Sequence, residues 1–240
     1  MAYSWADIYR QAAVGTARAI EESRQTNILN RAQNLVWRSY DWRFTIAKLA
    51  PFWCEPYIQE YGSPIVTVPT DMERLSKMYV SRITSPKPVV DPLRVVYETN
   101  FTDTLGIPAE ISFMRESRTI RLWPTPSGGI CAPNFMIFGN YKTLPTRILT
   151  TTYDSVAPPT GENNIEMWLA AVKWAYAEEV GDKDAGEVQV VGRSRVYTGK
   201  LAKAMAMIQE IATNEGLNQG NHEISPSESM VLPIGTPIWY

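Results

Sequence analysis

Twelve of the chain's 17 prolines fall between positions 51 and 145. Proline fixes φ and lacks a backbone donor, so long helices are excluded from that stretch. Between the prolines lie short β-rich runs: Ile65–Val68, Met78–Ile83, Leu93–Glu98, Ile111–Arg115, Thr119–Trp123 and Phe135–Tyr141. Thr119–Trp123 alternates cleanly, which puts Ile120 and Leu122 on one face and Arg121 and Trp123 on the other. Ser127, Gly128 and Gly129 read as a turn, with Phe135–Tyr141 as the return strand.

Either side of this stretch the period changes from two to 3.6. Ser4 and Asp7 resemble a capping box, and Trp5, Ile8, Tyr9, Ala12, Ala13, Thr16 and Ile20 form one apolar stripe. Polar residues 21–26 end that helix. A second begins near Thr26 or Asn27 and runs through Leu29, Ala32, Leu35, Val36 and Ser39, with Asn30, Arg31, Asn34 and Arg38 on its other face. Towards the C-terminus, Ile165, Trp168, Leu169, Val172, Tyr176 and Val180 mark a helix over about 162–181, and another is expected near 189–214. After Gly216 the periodicity stops.

These zones predict an α+β chain. An antiparallel helical bundle is built from both chain ends (1–50 and 155–216), with a small antiparallel β domain (51–154) inserted and an extended C-terminal arm (217–240). A chain of 240 residues, 45% hydrophobic and 20% charged, can bury about 70–75% of its unfolded surface without staples.

The inventory of reactive side chains is thin. Two cysteines, Cys54 and Cys131, and one histidine, His222, fall short of the roughly four ligands of a structural zinc site. Both thiols are expected to be reduced and buried, and no cofactor or metal is expected. Glu21–Glu22 and Glu178–Glu179 are sequence neighbours, about 100° apart around a helix, so neither pair converges on one bond. Asp182, Asp184 and Glu187 around Gly186 lack calcium-loop spacing and read as a polar turn. Gly128 and Gly129 are followed by no lysine, and no G-x-S-x-G elbow occurs. The reading is not an enzyme. Residues 1–20 lack a secretory pattern and no run reaches membrane-spanning length, which implies a cytosol-like compartment and no membrane.

Trp37, Tyr40, Trp42, Phe44, Phe52, Trp53, Tyr57 and Tyr61 crowd together. They form either a core junction between helix and sheet or an intersubunit surface, where Trp, Tyr and Arg are enriched. On the second reading the interface candidates are Trp37, Arg38, Tyr40, Trp42 and Arg43. The interleaved arginines also look like a nucleic-acid groove, but a net charge of −2 argues against one.

The segment ILNRAQNLVWRSYDWRF (28–44) resembles the second helix of tailed-phage head-to-tail adaptor proteins, also called connector or head-completion proteins. GIP (106–108), IRLWPTP (120–126) with a strand closing on Tyr141, and MWLAAVKWAY (167–176) followed by Gly181 and Asp182 are similar too. The resemblance implies a structural virion protein at the head–tail junction, assembled in the host cytoplasm. Its copies would form a homo-oligomeric ring, usually of twelve, beneath the portal protein. The ring would extend the channel for double-stranded DNA, without sequence-specific binding, and would carry tail or nozzle proteins. The long β domain looks more like the adaptors of short-tailed phages. Pro226, Pro233 and Pro237 bias the arm to extended geometry. Ile234, Pro237, Ile238, Trp239 and Tyr240 are its expected portal-docking anchors. Two rival readings stand beside this one: a virion glycan-binding or cell-wall-degrading protein, and a non-viral cytosolic scaffold.

Overall fold

The structure, a computed structural model, describes residues 3–14, 20–82, 89–96, 104–128, 135–159, 164–191, 194–217 and 230–233. The chain divides into two compact units, Met1–Phe44 with Pro145–Tyr240, and Thr45–Leu144.

The first unit is built on helices α1 (Trp5–Ala12), α2 (Glu22–Ser39), α3 (Ile165–Glu179) and α4 (Gly199–Asn214). Its centre is α3, which packs against the other three. Its sequence explains the position: Ala171, Val172 and Ala175 are fully buried together with Met167 and Trp168, and small residues let neighbouring helices approach closely. The Trp5 and Trp168 rings meet edge to face at 4.9 Å, a favoured aromatic geometry. The capping box forms as the sequence implies, with Ser4 and Asp7 each bonding the other's backbone N–H.

The second unit is a seven-stranded sheet in the order β1-β9-β3-β4-β6-β7-β2. The strands are β1 (Ile46–Trp53), β2 (Glu60–Tyr61), β3 (Met72–Arg82), β4 (Val89–Val95), β6 (Glu110–Met114), β7 (Thr119–Trp123) and β9 (Phe135–Thr143). A two-stranded pair, β5 (Leu105–Gly106) with β8 (Thr125–Pro126), lies apart from it. β4 and β6 run parallel, so the sheet is mixed. Ile111, Ile120, Leu122, Ile137, Leu75 and Met78 are among its core residues. Gly139 lies where both neighbours of β9 slip register, between Leu49 and Phe52 on one side and between Leu75 and Met78 on the other. A Cβ there would fall 2.3 Å from the Lys77 carbonyl oxygen, so only glycine lets the bulged strands close. Bulges of this kind bend and twist a sheet.

The architecture corrects the expected helical bundle with a small inserted antiparallel β domain. The β unit is a large, curled, mixed sheet, and the helical unit has four helices among the described residues plus a sheet of its own. That second sheet is antiparallel, in the order β10 (Val188–Val191), β11 (Ser194–Tyr197), β12 (Met230–Pro233). Three local expectations fail with it. Residues 188–191 and 194–197 pair as antiparallel strands rather than starting a helix, because β-branched runs follow a tight backbone crossing at Gly186. The return strand for β7 is not β9: β7 pairs with β6 and β2, whereas β9 pairs with β1 and β3. Residues 65–68 are turn and irregular chain, not strand. Within the arm, 230–233 is an edge strand of the second sheet, so that stretch is not free. α2 also starts earlier than expected: residues 22–26 are its first turns.

Candidate functional site

The aromatic residues after α2 turn inward. Trp42 is fully buried, and its indole N–H donates to the Val36 carbonyl at 2.7 Å. Its ring stacks on Phe44 at 5.8 Å, and Phe44 meets Trp37 edge to face at 5.4 Å. Tyr40 tilts against Trp42 at 5.5 Å. Of the five interface candidates, Trp37 and Trp42 are buried, Tyr40 is half-buried, and only Arg38 and Arg43 are exposed. Burial pushes the Tyr40 hydroxyl above the usual phenol range, helped by the neighbouring Tyr197. Tyr197 is raised for the same reason, while the Arg195 guanidinium beside it pulls the other way. Both phenols therefore stay neutral near pH 7.

The arm anchors Ile234, Pro237, Ile238, Trp239 and Tyr240 lie outside the described residues, as do His222 and Cys131. Cys54 is buried and forms no disulfide. Among the described residues, no three His, Cys, Asp or Glu side chains could hold a metal ion, and no helix is long and apolar enough to cross a membrane.

Glu178, Glu179 and Asp182, three of the carboxylates singled out in the sequence, have structural partners. Glu178 pairs with Arg31 at 3.1 Å and Glu179 with Arg24 at 2.8 Å, so the pair bridges α3 to α2. Asp182 accepts from the Asp184 N–H and from Lys200. Those contacts, Lys200 first, hold its carboxyl below the usual carboxylate range.

Two surface features went unread in the sequence. One is a depression of about 220 Å³ lined by Asn27, Asn30, Gln33 and Asn34 of α2 together with Pro145 and Arg147. Asn30 grips the Ile148 backbone in both directions: Nδ2 donates to its carbonyl at 2.9 Å, and Oδ1 accepts from its N–H at 2.8 Å. The signal in the sequence was the recurrence of asparagine at 27, 30 and 34. The second feature is Tyr57 on the β unit, 64% exposed and held at a left-handed φ of 64°. Non-glycine residues rarely adopt that conformation. The Tyr57 ring lies against Gly128, and its N–H donates to the Pro126 carbonyl. Trp53, also on the β unit, is 48% exposed.

A scan of known protein-family models finds none that matches this chain, and no curated protein matches it.

Proposed function

We propose that this chain is a non-enzymatic structural protein of a phage virion, forming a ring below the portal that joins head to tail and extends the DNA channel. The observation that carries the reading is the order of the adaptor-like motifs along the chain: 28–44, then 106–108 and 120–126, then 167–182. The division of the chain is in keeping with it, because residues from both chain ends belong to one unit and the β unit is inserted between them in sequence. A net charge of −2 suits a channel wall that must let DNA slide, since each phosphate neutralised strengthens retention. A closed ring needs heterologous contacts between opposite flanks of the subunit. With Trp37 and Trp42 inside the fold, Arg38 and Arg43 are the candidates still exposed for such a contact. The distal arm, Ile234–Tyr240, is the proposed portal anchor.

Negative-stain electron microscopy and light-scattering mass of the purified protein, with and without its portal, test this directly. Twelvefold rings on portal particles are expected, and a protein that remains unattached at high concentration would overturn the reading. Truncation has to spare β12. Removing 234–240 alone should leave the melting temperature unchanged and abolish portal attachment, whereas cutting at 226 would also delete a paired strand.

Tyr57 and Trp53 favour a second reading, a virion glycan-binding protein, because exposed aromatic faces stack on sugar rings. Calorimetry with cell-wall glycan fragments on the parent and on Tyr57→Ala separates the two readings: saturable heat lost in the variant would select glycan binding.

A further inference from the structure

We propose that the depression along α2 is a binding site for a short, extended, acidic polypeptide segment. The carboxamides of Asn27, Gln33 and Asn34 would grip the segment's main chain, and Arg147 would take a carboxylate. This inference is independent of ring assembly.

The evidence begins with Asn30, which already binds a main chain in this way. Its carboxamide presents a donor and an acceptor to one residue, Ile148, and satisfies both of that residue's peptide groups. A third bond, from Nδ2 to the Thr26 carbonyl at 2.8 Å, fixes the rotamer. Asn27 and Asn34 flank Asn30 at i−3 and i+4, so they sit on the same helix face, about 4.5 and 6 Å away along the axis. An extended chain repeats its outward-facing peptide groups every two residues, or about 6.6–6.8 Å. Carboxamides one turn apart on a helix therefore come near to matching alternate residues of a strand. Asn27, Gln33 and Asn34 make no side-chain hydrogen bond to any described residue. All three line the depression, Asn27 exposed, Asn34 half-buried and Gln33 almost fully buried.

Arg147 sets the charge of the ligand. It is exposed on the rim and has no ion pair with any described residue. A guanidinium in that state matches a carboxylate with two parallel N–H bonds. One cation among four carboxamides is a poor match for nucleic acid, where several phosphates must be neutralised together. A peptide with an acidic side chain uses every group present. A stretch of this chain with that chemistry, suited to serve as the probe, is 218–229, which contains Glu223, Glu228 and Pro226 and neither lysine nor arginine.

The probe is a fluorescein-labelled synthetic peptide of sequence NQGNHEISPSES, residues 218–229. It is titrated by fluorescence anisotropy into the full chain carrying Glu223→Gln and Glu228→Gln, so that the chain's own segment does not compete for Arg147. Saturable binding is expected, weakened at least tenfold by Arg147→Glu and by Asn34→Leu and unchanged by Lys183→Glu, an exposed control outside the depression. If Asn34→Leu lowers the melting temperature, the exposed Asn27→Leu serves in its place. Absence of saturable binding, or equal binding to parent and groove variants, overturns the proposal. So does a single-stranded DNA 12-mer that binds the parent and is lost in the same variants, since that would make the depression a nucleic-acid site.

Discussion

At the residue scale, position relative to the core decides what each side chain can do. Trp42 was legible as important from its sequence neighbours, but its role was not, because an aromatic cluster serves a core and an interface equally well. Full burial, a stacked Phe44 and an indole hydrogen bond to Val36 make it a core residue. Trp42→Ala is expected to cost about 3–5 kcal/mol, measured by urea unfolding, with Trp42→Phe costing much less. Arg43→Ala, at an exposed neighbour, should leave the midpoint nearly unchanged. The N-cap of α1 gives a pH-dependent prediction. The Ser4 N–H, then its hydroxyl, then Arg10 hold Asp7 below the usual carboxylate range. A carboxyl depressed in the folded state contributes stability that is present above its unfolded value, near 3.9, and lost as pH falls through the folded one. The urea midpoint should therefore drop as pH is taken below about 4, with a shallower drop in Asp7→Asn. Ser4→Ala should cost about 1 kcal/mol at neutral pH.

At the element scale, the sequence was read well where a strand kept period two and poorly where a bulge broke it. β7 emerged complete because Ile120 and Leu122 alternate with polar neighbours. The first half of β3 was invisible because its buried residues, Met72, Leu75 and Met78, are three apart, with a register slip in each interval. β1 was hidden in the same way. Leu49 and Phe52 are three apart, and Pro51, which reads as a strand breaker, sits in the bulge of an edge strand, where no ladder bond is lost. The hairpin of β10 and β11 depends on a backbone crossing. Gly186 has φ 90°, and a Cβ on it would lie 1.9 Å from the Thr198 carbonyl oxygen. Gly186→Ala is thus expected to destabilise the first unit by more than about 1 kcal/mol. Hydrogen exchange should show the loss concentrated at 188–198, and uniform protection across the hairpin would contradict this account.

At the scale of the whole molecule, the two ends of the β unit lie side by side. Ile46 of β1 pairs with Lys142 of β9, so a continuous sheet can be spliced into another unit through adjacent crossing points. The fragment 45–144 carries its own core and should fold alone, giving a β-type circular dichroism spectrum and a cooperative melt; a fragment without a cooperative transition would refute this. The sequence by itself determined that no long helix runs through 51–145, where proline placement forbids it, and that the 3.6 period at both ends yields helices, but it misassigned 46–50, 188–191 and 194–197, which are strands. It also determined the cap at Ser4 and the inward face of β7. Only the tertiary structure decided which strands pair, that β4 and β6 run parallel, that 230–233 joins a sheet, and that Trp42 faces a core while Asn27, Gln33 and Asn34 line a depression. The reason is physical. Periodicity and capping act over one or two turns of chain, whereas register, bulges and burial depend on neighbours tens of residues away, where an equally apolar alternative partner leaves no mark in the local sequence.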